Sequence, residues 1–194
     1  MTRLAQLTLL AMVAGLVVAC SPGGAPTPVG EGPLTADVAQ NLLTRSDIES
    51  AGGDAGGLDR HVDDLLAVAS DVDPTVASTT EALWNVRWIA EGRPGVLMTV
   101  TRFHDAASAH AALDKIEIGI AYEAMASAIG ERSALSPANA DIGVAITFIS
   151  KRTLIALQLP VASDGATLLN EQQLRDLATA LEAKLEASLH VTGA

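Results

Sequence analysis

Cysteine is almost absent from this chain, whose 194 residues include one, Cys20. A single cysteine excludes an internal disulfide and any metal site built from several cysteines. Aromatic residues make up 3% of the sequence and hydrophobic residues 49%. The hydrophobic share is typical of a globular protein, so the chain can bury a core, which Ala, Val, Leu and Ile must largely build.

Basic residues are also few. Twelve Lys and Arg stand against 23 Asp and Glu, which gives a net charge of −11, and Lys151-Arg152 is the only adjacent basic pair. Such a surface repels nucleic-acid phosphate, so the composition argues against nucleic-acid binding. The sequence contains no G-x-S-x-G, S-x-x-K, H-E-x-x-H or Walker A pattern, and we therefore predict neither an enzyme nor a bound cofactor or metal.

Cys20 closes an apolar N-terminal segment. Arg3 and the amino terminus precede an apolar run over residues 4–18, shorter than the about 20 residues of a membrane-spanning helix. Its end, Val17-Val18-Ala19-Cys20, resembles the lipobox of bacterial lipoprotein signal peptides, in which an aliphatic residue and small residues precede an obligatory cysteine. Val17 stands where that family prefers Leu.

The resemblance implies processing and lipidation at this cysteine. A signal peptidase would cut between Ala19 and Cys20, residues 1–19 would be the signal peptide, and the Cys20 thiol would carry diacylglycerol. Several acyl chains give durable anchoring. The implied location is extracytoplasmic, with the lipid anchor in the cell membrane or the outer membrane. A soluble secreted protein with an incidental cysteine is the alternative.

The segment after the anchor favours a tether. Residues 21–33 read "SPGGAPTPVGEGP", with almost no bulky apolar side chain to bury. We therefore interpret residues 20–33 as the lipidated cysteine and a Pro- and Gly-rich tether, and residues 34–194 as a single α+β domain.

Two hairpin–helix units account for most of that domain. Alternating apolar residues predict strands in "ALWNVRWIA" and "VLMTVTRF", before a helix capped by Asp105. Strands in "VAITFIS" and "TLIALQLP" precede a helix whose capping box pairs Asn170 with Gln173. The predicted α+β fold (ββαββα) is a four-stranded antiparallel sheet with both helices packed on one face. Short helices precede it, one of them over residues 58–70.

Strand alternation divides the sheet into two faces. The face that the helices are predicted to cover carries Trp84, Val86, Trp88, Val96, Met98, Val100, Val144, Ile146, Phe148, Ile155, Leu157 and Leu159. The opposite face mixes small apolar and polar side chains, which suits contact with a protein. Its candidate partner-binding residues are Asn85, Arg87, Thr99, Thr101, Thr147 and Gln158. An ordinary solvated sheet face, or burial under the 58–70 segment, is the alternative.

Two short segments carry residue types found in catalytic or metal sites. A carboxylate beside an imidazole, as at His104 and Asp105, can orient a general base, but no nucleophile accompanies them. We therefore expect a helix cap at Asp105 and a solvated His104. His61, Asp63 and Asp64 offer ligands for a cation, but on a helix they do not converge, which favours a solvated acidic face.

Trp84 and Trp88 could serve as a ligand platform, but their place on the predicted helix-covered face favours the core. The sequence thus predicts a membrane-anchored lipoprotein that acts as a protein-binding or envelope-complex accessory module. The alternative is a small-ligand-binding or sensory module, which would need a concave pocket.

Overall fold

The computed structural model describes residues 33–119, 122–125, 127–139, 143–162 and 164–190. The predicted signal peptide, the lipobox and nearly all of the tether lie outside the described residues. In the described ranges, no helix combines the length and the hydropathy needed to cross a bilayer.

Helices and strands are numbered here in chain order. They are α1 (Ala36–Leu42), α2 (Arg45–Ser50), β1 (Asp59–Asp64), α3 (Leu66–Val72), α4 (Pro74–Thr79), β2 (Thr80–Ile89), β3 (Val96–Phe103), α5 (Ala106–Gly119), β4 (Glu123–Ala124), β5 (Arg132–Asn139), β6 (Gly143–Ser150), β7 (Thr153–Leu159) and α6 (Glu171–His190).

The fold is α+β. The strands of the described residues form one antiparallel sheet in the order β1-β2-β3-β7-β6-β5-β4. The four predicted strands are its centre, β2-β3-β7-β6. The prediction of a four-stranded sheet is wrong, because β1 extends one edge while β5 and the two-residue β4 extend the other. The predicted helix over 58–70 is instead β1 followed by α3.

The prediction that the helices pack on one face is also wrong. Helices α1, α2 and α6 contribute to the large core on the face of Val86 and Met98, which we call the first face. Helices α3, α4 and α5 pack on the opposite, second face, where Leu83, Phe103 and Leu154 form a smaller core. Because Leu83, Phe103 and Leu154 are apolar, the second face has surface of its own to bury, and α5 buries it.

The first-face core matches the sequence prediction. Eleven of the twelve predicted side chains are buried, and Trp84 is partly buried against them. The indole Nε1 of Trp84 donates to the Leu34 carbonyl at 3.3 Å, and that of Trp88 to the Leu43 carbonyl at 3.1 Å. Both tryptophans are therefore part of the core, and their polar atoms tie α1 to β2.

The predicted capping box of the last helix is confirmed. The amide of Gln173 donates to Asn170 Oδ1 at 2.9 Å, and the amide of Asn170 donates to Gln173 Oε1 at 2.8 Å. This reciprocal pair starts α6, whose apolar stripe of Leu174, Leu177, Ala178, Leu181 and Leu185 is buried.

Candidate functional site

The helices of the second face leave part of the sheet uncovered. We call this part the open strip and define it as Asp63, Arg87, Leu97, Ala156 and Gln158, whose side chains are all partly exposed. The strip crosses β1, β2, β3 and β7, since Arg87 lies opposite Leu97 and Leu97 opposite Gln158. It mixes apolar, amide and charged groups.

Four of the six predicted partner-face residues lie outside this strip. Asn85, Thr99, Thr101 and Thr147 are buried, with exposures of 7% or less. Asn85 Nδ2 donates to Thr99 Oγ1 at 3.1 Å, so this polar pair is satisfied inside the domain.

Thr147 Oγ1 donates to the Tyr122 hydroxyl at 3.4 Å, which again uses a predicted contact group internally. A partner can reach only Arg87 and Gln158 of the predicted set. The docking role of that set stays a prediction.

Arg87 is the most constrained charged group of the open strip. Its Nη2 lies 2.6 Å from Asp63 Oδ2, and its side chain is 18% exposed. Its Nε is buried without a hydrogen-bond partner among the described residues. The ion pair therefore holds a guanidinium in place that retains an unused donor.

The His104–Asp105 segment forms a helix cap. Asp105 Oδ1 accepts from the Ser108 amide at 2.7 Å, and Oδ2 accepts from the Ser108 hydroxyl at 3.0 Å. His104 is exposed, and its backbone amide donates to the Thr79 carbonyl at 2.9 Å. The bond to the Ser108 amide caps α5, and both carboxylate oxygens are engaged by Ser108.

His61, Asp63 and Asp64 lie on a strand rather than on a helix. Alternation puts His61 and Asp63 on the second face and Asp64 on the first, where Asp64 Oδ1 accepts from the Leu66 amide at 3.0 Å. Among the residues that the structure describes, no group of three His, Cys, Asp or Glu side chains could hold a metal ion.

A cavity of about 560 Å³ lies between α6 and a wall that includes Glu123, Met125 and residues 127–130. Met125, Ile129 and Leu135 contribute apolar walls, and Arg175 and Glu182 contribute charge. Burial and the neighbouring Glu186 raise the pKa of Glu182. The volume is within the range of small-ligand sites, but the lining is more polar than most of them have.

The sequence analysis missed parts of both sites. Leu97 alternates with Met98 and so belongs to the second face, which period two alone could have shown. Asp63 joins the strip only because β1 is a strand. The cavity wall of Glu123, Met125 and residues 127–130 has no periodic pattern that would predict it.

No family model matches this chain, and no curated protein matches it either. What these sites can do therefore follows from their own chemistry.

Proposed function

We propose that this chain is a lipid-anchored, extracytoplasmic and non-enzymatic lipoprotein whose domain binds a protein partner in the cell envelope. The lipobox-like Val17-Val18-Ala19-Cys20 supports the anchor. A tether over residues 21–33 has an r.m.s. reach of about 20 Å, enough to hold a domain clear of the lipid headgroups.

The open strip supports the protein-binding role. Leu97 and Ala156 offer apolar contact, while Arg87, Asp63 and Gln158 offer polar contact on the same surface. Protein interfaces combine these chemistries, and arginine is over-represented at their energetic centres. The observation that carries the proposal is the partly exposed Arg87 guanidinium, which Asp63 holds in place.

Site-specific photo-crosslinking in native membranes tests this role. A photoreactive residue at position 97 is expected to give one discrete adduct with another protein, and Arg87→Ala is expected to weaken it. Position 72 is the matched control, because Val72 is 66% exposed but belongs to α3 and not to the strip. Equal adducts at positions 97 and 72 would contradict the proposal.

The cavity beside α6 favours a second candidate function, the binding of a small ligand. Thr179 lines this cavity from α6 and is exposed. If the protein carries a ligand there, native mass spectrometry of the purified chain shows a bound mass that Thr179→Trp removes. The same substitution is expected to leave the position-97 adduct unchanged.

A further inference from the structure

Strand β1 is the outermost strand at one edge of the sheet. It pairs with β2 on one side, and within the described ranges no strand pairs with its other side. Asp59, Arg60, His61 and Asp64 are exposed. A strand edge presents backbone N–H and C=O groups that can pair with another strand.

The sequence of β1 is complementary to itself when a second copy runs antiparallel to it. A two-fold axis perpendicular to the sheet keeps the faces of both copies aligned, so each side chain lies opposite one on the same face. With Val62 at the axis, Arg60 lies opposite Asp64 of the second copy, and His61 lies opposite Asp63. The symmetry makes each of these contacts twice.

The neighbouring registers lack this complementarity. An axis at His61 puts Asp59 opposite Asp63 of the second copy, an axis at Arg60 puts two guanidiniums face to face, and an axis at Asp63 does the same with two carboxylates. Like charges directly opposite each other destabilise a strand pair, whereas opposite charges stabilise it. The charge pattern therefore selects the register centred on Val62.

The side chains that this register uses still have capacity for the contacts, and Asp63 binds Arg87 through Oδ2 alone. The His61 ring makes no hydrogen bond or ion pair within the described part of the chain, and Asp64 uses only Oδ1, to accept from Leu66. Arg60 donates from Nη1 to the Gln40 carbonyl and lies 5.7 Å from the centre of the Trp88 ring. It forms no ion pair among the described residues.

We propose that a second copy of this chain binds along β1, antiparallel and centred on Val62, and extends the sheet across the two-fold axis. The net charge of −11 opposes association of two copies in general. Pairing therefore depends on the local match of Arg60 with Asp64. Leu34 packs in the first-face core, and the axis leaves the first faces of both copies on one side, so both chains enter their domains from that side.

Disulfide trapping tests the register. In the full chain, Val62→Cys is expected to give a covalent dimer on oxidation with copper phenanthroline, because directly opposed residues of an antiparallel pair have Cα atoms about 4.5–5.5 Å apart, which a disulfide can span. Val72→Cys is the matched control and should stay monomeric although Val72 is more exposed. The unsubstituted chain reports any crosslinking through Cys20. Equal trapping at positions 62 and 72, or none at 62 in a folded protein, would overturn the proposal.

Charge exchange tests the same contact without a new thiol. Arg60→Asp is expected to weaken the dimer about tenfold in sedimentation of the full chain in detergent, since it turns two attractive pairs into repulsive ones. Combining it with Asp64→Arg restores the pairing between copies. Arg93→Asp, at an exposed arginine outside β1, is the control and should leave the dimer intact. A chain that stays monomeric, or a double variant as weak as the single one, would refute pairing through β1.

Discussion

Lys184 on α6 lies 2.7 Å from Asp47 on α2, measured from Nζ to Oδ2, although 137 residues separate them in sequence. The same ammonium donates to the Leu42 carbonyl at 3.3 Å. Asp47 Oδ2 also accepts from the amide and the hydroxyl of Thr44, at 2.7 and 2.6 Å. One carboxylate therefore caps α2 and ties it to the C-terminal helix.

This contact makes stability depend on pH. Burial raises the pKa of Asp47. The hydrogen bonds from Lys184 and Thr44 and the charge of the ammonium together lower this pKa by more than burial raises it, so it lies below the ordinary 3.8. Since the folded pKa is below the unfolded one of about 3.9, the stabilisation is complete above about pH 5 and is lost as the pH falls through the folded pKa.

Asp47→Asn should therefore reduce the free energy of unfolding by about 1–2 kcal/mol at pH 7. The difference from the unsubstituted protein should shrink at pH 3, as urea titrations at the two pH values would show. Asp71→Asn, at an exposed carboxylate on α3, should change stability little at either pH. A difference for Asp47→Asn that does not shrink at low pH would contradict this role.

Thr99→Glu is expected to destabilise the domain by about 3 kcal/mol or more, because Thr99 is buried and its Oγ1 accepts from Asn85. Urea unfolding measures the loss. The same substitution at the exposed Thr179 is the control and should cost no more than about 0.5 kcal/mol. A stable Thr99→Glu variant would mean that this part of the second face is open to solvent.

Asp105→Ala should cost about 1 kcal/mol of stability, because it removes the acceptor of the Ser108 amide at the start of α5. Its exposed neighbour provides the comparison, and His104→Ala should change stability by no more than about 0.5 kcal/mol. Thermal unfolding of both variants distinguishes them. Loss of a cellular function in His104→Ala at unchanged stability would instead indicate a site at His104.

Cys20→Ser should abolish acylation and leave the chain uncut, because a serine hydroxyl cannot form the thioether that processing requires. Incorporation of a labelled fatty acid and the mass of the chain measure the two effects. Ser21→Ala keeps the cysteine and should be acylated normally. The anchor proposal fails if Cys20→Ser is still acylated, or if the unsubstituted protein stays wholly in the aqueous phase of a detergent separation.

The centre of the sheet was predictable because local pattern decides it. Strand β3 begins and ends at the residues that alternation indicates, Val96 and Phe103. The α6 capping box and its leucines also depend on residues three or four apart in sequence.

The β1–α3 region was not predictable in the same way. Val62 packs against the first-face core, whereas Leu65, Leu66 and Ala69 belong to the second-face core. The chain passes from one face to the other near Leu65. The apolar residues of this region contact two different cores, but their spacing matches the period of a single helix, which is why the sequence predicted one.

The sequence pattern also could not predict which face of the sheet α5 covers. The stripe containing Ala109, Ala112 and Leu113 shows that one side of this helix is buried, but it does not say against which sheet face. The position of α5 determines which second-face residues are buried, such as Thr101, and which stay accessible, such as Arg87. The prediction missed strand β5 for another reason: Ser133 and Ser136 are buried polar residues, so its sequence lacks the apolar alternation that indicates a strand with one buried face.

The pairing of β3 with β7 has a consequence for how the chain folds. Every other strand pair joins segments close in sequence, but the ladder from Leu97–Gln158 to Arg102–Thr153 joins residues about 50–60 positions apart. Each half of the sheet can form from pairings of shorter range in the sequence. Closing the long loop at this one seam is the step with the largest chain-entropy cost, so the speed of folding depends on how soon β3 finds β7.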